Sequence, residues 1–251
     1  MIVYKSPREV DTMREAGRIA RLALDAACAM AKPGVSTDEI DAEVERVIRS
    51  HGATPEFLGY HGYPKSSCIS INEQVVHGIP GSRRLEAGDV VGIDVGARYK
   101  GYVGDNAATM CVGKSTADAK RLVDTTRQCL ELAVEQCVPG KRLSDIGRAV
   151  QSLAESRGYS LVREYAGHGI GTRMHEDPQV PNYVDDATLR RDLVLREGLC
   201  IAIEPMLNLG GEAVRTLEDG WTVVTEDGSL SAHWEDSIAI TKDGPVVLTR
   251  A

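Results

Sequence analysis

Asp94 and Asp105 constrain this chain more than any other pair of residues. They lie in Gly92-Ile93-Asp94-Val95-Gly96-Ala97-Arg98-Tyr99-Lys100-Gly101-Tyr102-Val103-Gly104-Asp105. Val90, Val91, Ile93 and Val95 read as one strand, Tyr102 and Val103 begin another, and Ala97 to Gly101 predicts the loop between them. Folding about the midpoint between Tyr99 and Lys100 sets the two acids directly opposite each other. Their side chains then share a face, with Cβ atoms ~4.5–5.5 Å apart. Carboxylates that close repel by ~3–4 kcal/mol at an effective dielectric of about 20. Either one stays protonated or a cation sits between them, and a metal ion answers that need. An isolated pair more often has one Asp capping the turn and the other in solvent, so the rest of the chain must decide.

Size and charge narrow the field. The 251 residues suffice for one large domain or two small ones. Hydrophobic content of 42% and charged content of 26% are those of an ordinary globular protein. A net charge of −8 argues against a nucleic-acid-binding surface. The opening Met-Ile-Val-Tyr-Lys-Ser-Pro-Arg-Glu has no apolar core of the signal-peptide kind, and no apolar run is long enough to span a membrane. The six cysteines, at 28, 68, 111, 129, 137 and 200, show no Cys-x-x-Cys spacing. That suits reduced thiols in a cytoplasmic protein better than a disulfide framework or a zinc knot.

In chain order, Ser6-Pro7-Arg8-Glu9 predicts a capping box opening a helix to about Met30, stopped by Lys32-Pro33-Gly34. A second helix runs from Thr37, with Ile40, Val44, Val47 and Ile48 on one face, to His51-Gly52. Short strands follow at Cys68 to Ile71 and, after a turn at Asn72-Glu73, at Val75 to Gly78, then the acidic hairpin. Helices return from about Ser115 to Cys137 and Ser144 to Arg157. Strands close the chain at Leu199 to Ile203, Trp221 to Thr225, Ser237 to Thr241 and Val246 to Thr249. Helix-helix-strands thus occurs twice, and residues match across the repeat. Pro33-Gly34 aligns with Pro139-Gly140 at an offset of 106, as do Ile40 with Ile146, Val44 with Val150 and Gly52 with Gly158. Gly88-(x)4-Ile93-Asp94 matches Gly198-(x)4-Ile203-Glu204. The pattern predicts an α+β fold of two pseudo-twofold halves, about 7–112 and 115–250, around a central antiparallel sheet. Nothing between them reads as a linker, so residues 1–251 count as a single catalytic domain.

Asp94 and Glu204, one from each half, mark a shared centre. Asp105 and Glu235 are acids on later strands of the same halves. His168 sits in Gly167-His168-Gly169-Ile170-Gly171, whose glycines allow close backbone approach. Any one of these is commonly a turn or surface residue. Together, two Asp, two Glu and one His carry four negative charges, which two divalent cations neutralise. Oxygen-rich ligation with one imidazole suits Mn, Fe, Co or Zn in a paired site. Paired metals ~3.5–4 Å apart generate a nucleophilic hydroxide, so hydrolysis of an acyl or phosphoryl bond is the natural chemistry.

At this point the chain resembles methionine aminopeptidase of the type 1, bacterial-like form. The resemblance is carried by Tyr60-His61-Gly62-Tyr63-Pro64-Lys65, Ile71-Asn72-Glu73, Val76-His77-Gly78-Ile79-Pro80, Ile93-Asp94-Val95 and Gly104-Asp105 in the first half. In the second it is carried by Gly167-His168-Gly169-Ile170-Gly171, His175-Glu176-Asp177-Pro178, Ile203-Glu204-Pro205 and Asp219-Gly220-Trp221. It implies the pita-bread fold and a ligand set of Asp94, Asp105, His168, Glu204 and Glu235 around two divalent ions (Co, Mn, Fe, Ni or Zn). Asp94 and Glu235 would bridge them. It also implies that Glu204 shuttles the proton, His175 stabilises the developing oxyanion and His77 contacts the scissile amide. A methionine pocket is implied at Tyr60, Tyr63, Cys68 and Trp221, with Phe57 and Met174 beside it. Phe57 stands where well-known bacterial members carry Cys, and Met174 where they often carry Phe. The segment from His175 to Glu204 looks a few residues longer than theirs. The implied substrate is the N-terminal Met of nascent polypeptides, handled by a cytoplasmic monomer that the ribosome would receive, with neither membrane nor nucleic acid as partner. His51 and His61 read as a helix end and a loop residue, and His233 receives no role. Two rivals stand beside this reading: an X-Pro peptidase on the same fold, and a metal-free relative serving as a peptide- or RNA-binding module.

Overall fold

The computed structural model describes residues 1–250. Ser6 opens α1 (Pro7–Met30) by donating its backbone N–H and its hydroxyl to the Glu9 carboxylate, at 2.7 and 2.6 Å. α2 (Thr37–Ser50) starts the same way, with Glu39 accepting from Ser36 N–H at 2.8 Å. Strands β1 (Thr54–Pro55), β2 (Cys68–Ile71) and β3 (Gln74–Val76) follow, then the long pair β4 (Val90–Tyr99) and β5 (Tyr102–Cys111). Helices α3 (Ala117–Val134) and α4 (Leu143–Ser156) begin the second half. Strands β6 (Ser160–Leu161), β7 (Gly167–Gly169) and β8 (Glu176–Val180) and a short helix α5 (Asp186–Arg190) come next. The chain ends with β9 (Cys200–Ile203), β10 (Met206–Asn208), β11 (Val214–Thr216), β12 (Val223–Thr225), β13 (Ser231–His233), β14 (Asp236–Thr241) and β15 (Gly244–Val247).

The acidic hairpin forms, but not in the predicted register. The strands run to Tyr99 and from Tyr102, leaving a two-residue turn at Lys100-Gly101 in place of the expected loop from Ala97 to Gly101. Both turn residues are left-handed, with φ 47° at Lys100 and 85° at Gly101, the backbone a tight hairpin needs to match strand twist. The midpoint is therefore one residue later, Asp94 pairs with Ala107, and Asp105 pairs with Gly96. The two acids are diagonal neighbours on one face rather than directly opposed, a relation with ~7–8 Å between positions that long side chains span. The predicted strand from Trp221 also starts later, at Val223. The Asp219 carboxylate accepts from Trp221 N–H, Thr222 N–H and Thr222 Oγ1 at 2.6–2.8 Å and holds those residues in a turn.

Sheet pairing is antiparallel throughout. One sheet orders β1-β4-β2 with β5 on β4; another orders β15-β14-β9-β7-β8; two three-stranded pieces order β13-β10-β6 and β11-β12-β3. The first large sheet packs on α1 and α2 through Ile19, Leu24, Ile40, Ile48, Ile69 and Ile93. The second packs on α3 and α4 through Leu130, Ile146, Leu199, Ile201 and Ile203, and Trp234 touches both cores.

A ladder joins the two sheets along β5. Asp105 N–H donates to Ser237 Oγ at 3.0 Å, and that hydroxyl donates back to Asp105 O at 2.8 Å. Ala107 and Glu235 exchange backbone bonds of 3.2 and 2.9 Å. Thr109 Oγ1 accepts from His233 N–H at 2.9 Å and donates to His233 O at 2.6 Å. Every second residue of β5 is thus tied to the second half. The halves also repeat one another's local bonding. Gly34 N–H donates to Leu85 O as Gly140 N–H does to Leu195 O, and Leu85 N–H to Val35 O as Leu195 N–H to Lys141 O. Ala53 N–H closes α2 on Ile48 O as Tyr159 N–H closes α4 on Ala154 O.

Candidate active site

All the candidate side chains meet in one cavity of ~160 Å³. Asp94 and Asp105 come from the hairpin, and His168 from β7. Glu204 follows β9, and Glu235 lies between β13 and β14. His77, His175, Phe57, Tyr60, Tyr63, Cys68, Met174 and Trp221 complete its wall with Tyr165 and Ala166. None of the candidates lies elsewhere.

Strand register explains the convergence of the second half. His168 pairs with Ala202, and Ala202 pairs with Ser237, so these three positions share one face. Two residues along each strand in the right sense, Glu204 and Glu235 keep that face. The glycines flanking His168 are required for β7 to lie there. A Cβ on Gly167 would stand 2.3 Å from Ala202 O, and one on Gly169 would stand 2.1 Å from Asp177 O. Asn182 donates to Glu204 O at 2.9 Å and pins the backbone at that acid.

The acids are held without charge compensation. No Lys or Arg lines the cavity among the described residues. Asp94 Oδ1, Asp105 Oδ1 and Glu235 Oε1 are buried with no hydrogen-bond partner. Burial pushes Asp94 up to about 7. Burial, with repulsion from Asp94, raises Asp105 and Glu204 well above the usual carboxylate range, and burial with repulsion from Asp105 does the same to Glu235. The imidazole of His168 faces these groups with its unprotonated nitrogen. Its Nδ1 donates to Gly169 O at 3.0 Å, leaving the Nε2 lone pair 3.6 Å from Glu204 Oε1 and 3.8 Å from Asp105 Oδ2. Burial, followed by the neighbouring His175, lowers its pKa to about 4, so the ring is neutral near pH 7. Donor atoms of Asp105, His168 and Glu235 all lie within 4.8 Å of one another. A buried cluster of four carboxylates and one neutral imidazole, with no Lys or Arg lining it among the described residues, fits divalent cations.

Around the acids stands a separate apolar cluster. Phe57, Tyr63, Cys68 and Met174 are each at most 6% exposed and pack with Tyr60, Ile79 and Trp221, apart from the two helix-backed cores. Core packing alone would merge these residues with the cores. Cys68 pairs directly with Asp94 across β2 and β4, which sets the slot against the acids. Tyr63 Oη donates to Ser67 O and Gly78 O, both at 3.0 Å, and stands edge-on to Trp221 at 5.1 Å. His77 is half-buried, edge-on to Tyr165 at 5.7 Å. Burial, then the nearby His175, lowers its pKa to about 4. His175 Nδ1 meets Tyr60 Oη at 2.6 Å, and its ring lies 4.3 Å from that of His168.

Sequence reasoning missed three residues of the site. Tyr165 and Ala166 line the cavity from the loop before β7, a position without periodicity to announce it. His233 is buried, with Nε2 unpartnered and 3.9 Å from both Glu204 Oε2 and Glu235 Oε2. Its place two residues before Glu235, on the same face of an extended segment, was the available signal.

The sequence pattern of metallopeptidase family M24 matches residues 11–242. Methionine aminopeptidase 1 of Bacillus subtilis (strain 168) is 48% identical over 250 residues, covering 100% of both chains. The crystal structure of methionine aminopeptidase from Thermotoga maritima superposes with a TM-score of 0.96 at 42% identity, covering 100% of each chain. Prolidase from Pyrococcus furiosus superposes with a TM-score of 0.79 at 26% identity, covering 99% of this chain and 66% of the prolidase. These likenesses give the chain an α+β architecture of the pita-bread type.

Proposed function

This chain belongs to metallopeptidase family M24, and we propose that it works as a metal-dependent aminopeptidase removing the N-terminal methionine of polypeptides. The observation that carries the assignment is the meeting, in one cavity, of five uncompensated acid and imidazole donors with an apolar slot. Asp94, Asp105, His168, Glu204 and Glu235 would hold two divalent cations, whose charge matches the four carboxylates. Co, Mn, Fe, Ni or Zn suits these donors. When bound, such cations acidify water and polarise a carbonyl.

The chain's own groups do the rest. The Phe57, Tyr63, Cys68, Met174 and Trp221 slot takes the flexible thioether of methionine, with Tyr60 at its rim. Glu204 moves the proton between water and the leaving amine. With Tyr60 Oη as the donor to His175 Nδ1, Nε2 would carry the ring proton and offer it to the oxygen that becomes anionic. His77, neutral near pH 7, contacts the scissile amide without adding charge. The repeated turns and the ladder along β5 support one catalytic domain, 1–251, made of two copies of a helix-helix-strands unit. We read it as a monomer acting in the cytoplasm, where nascent chains emerge from the ribosome.

Hydrolysis of Met-Ala-Ser compared with Ala-Pro substrates, with Mn²⁺ or Co²⁺ added and after EDTA dialysis, tests the assignment. Metal-dependent release of Met from Met-Ala-Ser, with Ala-Pro untouched, is the expected result. Preferential cleavage of Ala-Pro would make the chain an X-Pro peptidase. Binding of Met-Ala-Ser without turnover under any metal would make it a peptide-binding relative.

A further inference from the structure

Given the aminopeptidase reading above, on which this inference rests, we propose that Arg98 sets the width of the apolar slot by holding its two walls together. It thereby fixes how strictly the slot selects an unbranched first side chain. Phe57 and Met174 both line the cavity, but they come from different halves of the chain. Phe57 lies in the loop after β1, and Met174 in the loop between β7 and β8. Loops have no ladder to fix their spacing, so the distance between these walls depends on what ties one loop to the other. Tyr60 and His175 make one such tie at 2.6 Å, and it belongs to the reacting groups. Arg98 makes another, away from them.

Arg98, on β4, uses all three of its guanidinium nitrogens. Nε and Nη2 donate to the two carboxylate oxygens of Glu56 at 2.7 and 2.5 Å. Nη1 donates to Thr172 O at 2.9 Å and to Gly101 O, in the turn of its own hairpin, at 3.2 Å. Glu56 immediately precedes Phe57, and Thr172 lies two residues before Met174. One planar fork therefore grips both walls and anchors them to the hairpin that carries Asp94 and Asp105. The Glu56 side chain is only 8% exposed, which separates this pair from the surface ion pairs that contribute little. Phe57 also has no room behind it. Glu56 N–H donates to Gly96 O at 2.9 Å, and a Cβ on Gly96 would stand 2.6 Å from Phe57 Cε1. A shift of Glu56 is thus passed to the ring and changes the slot. Arg98 does not itself line the cavity, so it is a positioning residue.

The test compares kcat/KM of the Mn²⁺-loaded enzyme on Met-Ala-Ser, Leu-Ala-Ser and Phe-Ala-Ser. A well-fitted apolar pocket separates side chains one methylene apart by about 10–200-fold, and loosening the walls should surrender part of that. We expect Arg98→Lys to lower the preference for Met over Leu by about tenfold, mainly through a higher KM for Met-Ala-Ser. Its kcat, metal content and Tm should stay near wild type, because Lys keeps a charge beside Glu56 but cannot grip Glu56 and Thr172 at once. Arg98→Met should lose both the preference and Tm, since it leaves Glu56 buried without a partner. Arg98→Met/Glu56→Met should regain Tm but not the preference, whereas a purely structural role would bring both back. An unchanged Met-to-Leu ratio in Arg98→Lys and Arg98→Met, or a ratio that recovers with Tm in the double variant, would overturn the proposal. Wild-type turnover of Met-Ala-Ser stands in either case, so the aminopeptidase reading survives that failure. Absence of wild-type turnover on all three peptides would overturn that reading and this proposal with it.

Discussion

His77 combines two unusual features in one residue. Its backbone is left-handed at φ 61°, and its half-buried ring faces Tyr165 and Trp221 rather than the acids. Removing its imidazole should take away a donor to the reacting amide without disturbing the metal ligands. His77→Ala is expected to lower kcat by ~10²–10³-fold, the usual cost of losing one positioned donor, with metal content near normal by elemental analysis. Asn tolerates the left-handed region, so His77→Asn should lose activity to a similar extent at wild-type thermal stability. Loss of metal in either variant would make His77 a ligand instead. Much of the site was readable at this scale. Asp94 and Glu204 stand at matching places in the repeat, and His168 stands among glycines that its neighbours' carbonyls turn out to require. His233 was not read, although its place two residues before Glu235 sets both side chains on one face of an extended segment.

Among the elements, the N-terminal segment and β8 are coupled by a buried ion pair. Lys5 Nζ meets Glu176 Oε2 at 2.7 Å, with side chains only 2% and 4% exposed, and Lys5 also donates to Val3 O at 3.1 Å. Burial alone would raise the Glu176 carboxyl. Hydrogen bonds from Lys5 and the Arg173 backbone, with Lys5's charge, hold it below its ordinary value instead. Since Glu176 follows His175 and opens β8, this pair sets the loop that carries the histidine. Lys5→Met would strand a buried carboxylate at a cost of ~3–5 kcal/mol, read as a large fall in Tm with a lower kcat. Adding Glu176→Gln should restore most of the stability. A Tm for the single variant within a degree or two of wild type would show that the pair is solvated and does not hold the loop. Nothing in the sequence announced this contact, because its partners lie 171 positions apart. The helices and most strands were legible from capping boxes and apolar spacing. The hairpin register was not, because a loop of several residues and the tight Lys100-Gly101 turn leave similar apolar patterns and differ by one position at the midpoint.

At the scale of the whole molecule, the two halves meet at the acids. Asp94 and Asp105 are held by the first sheet, His168, Glu204 and Glu235 by the second, and the β5 ladder binds them side by side. Bound cations would therefore link the halves, and their removal would leave four acids in a buried space. The sign of the resulting pH dependence follows from where those acids titrate. In the unfolded chain they lose their protons near pH 4. In the metal-free fold, burial holds Asp94 to about 7, and burial with mutual repulsion holds the other three above the usual range. Across that interval the folded chain keeps protons that the unfolded chain has released, so stability falls as pH rises. EDTA-treated protein should thus lose Tm steadily from pH 5 to pH 8. Protein saturated with Mn²⁺ should vary much less, because the cations bind the ionised ligands and are themselves displaced by protons at the acid end. The gap between the two melting curves is expected to widen toward pH 8, and Glu204→Gln should flatten the metal-free slope by removing one of the titrating groups. A metal-free Tm that holds level or climbs over the same range would mean that the four carboxyls are already ionised and compensated in the fold. The cavity would then have no electrostatic demand for a cation.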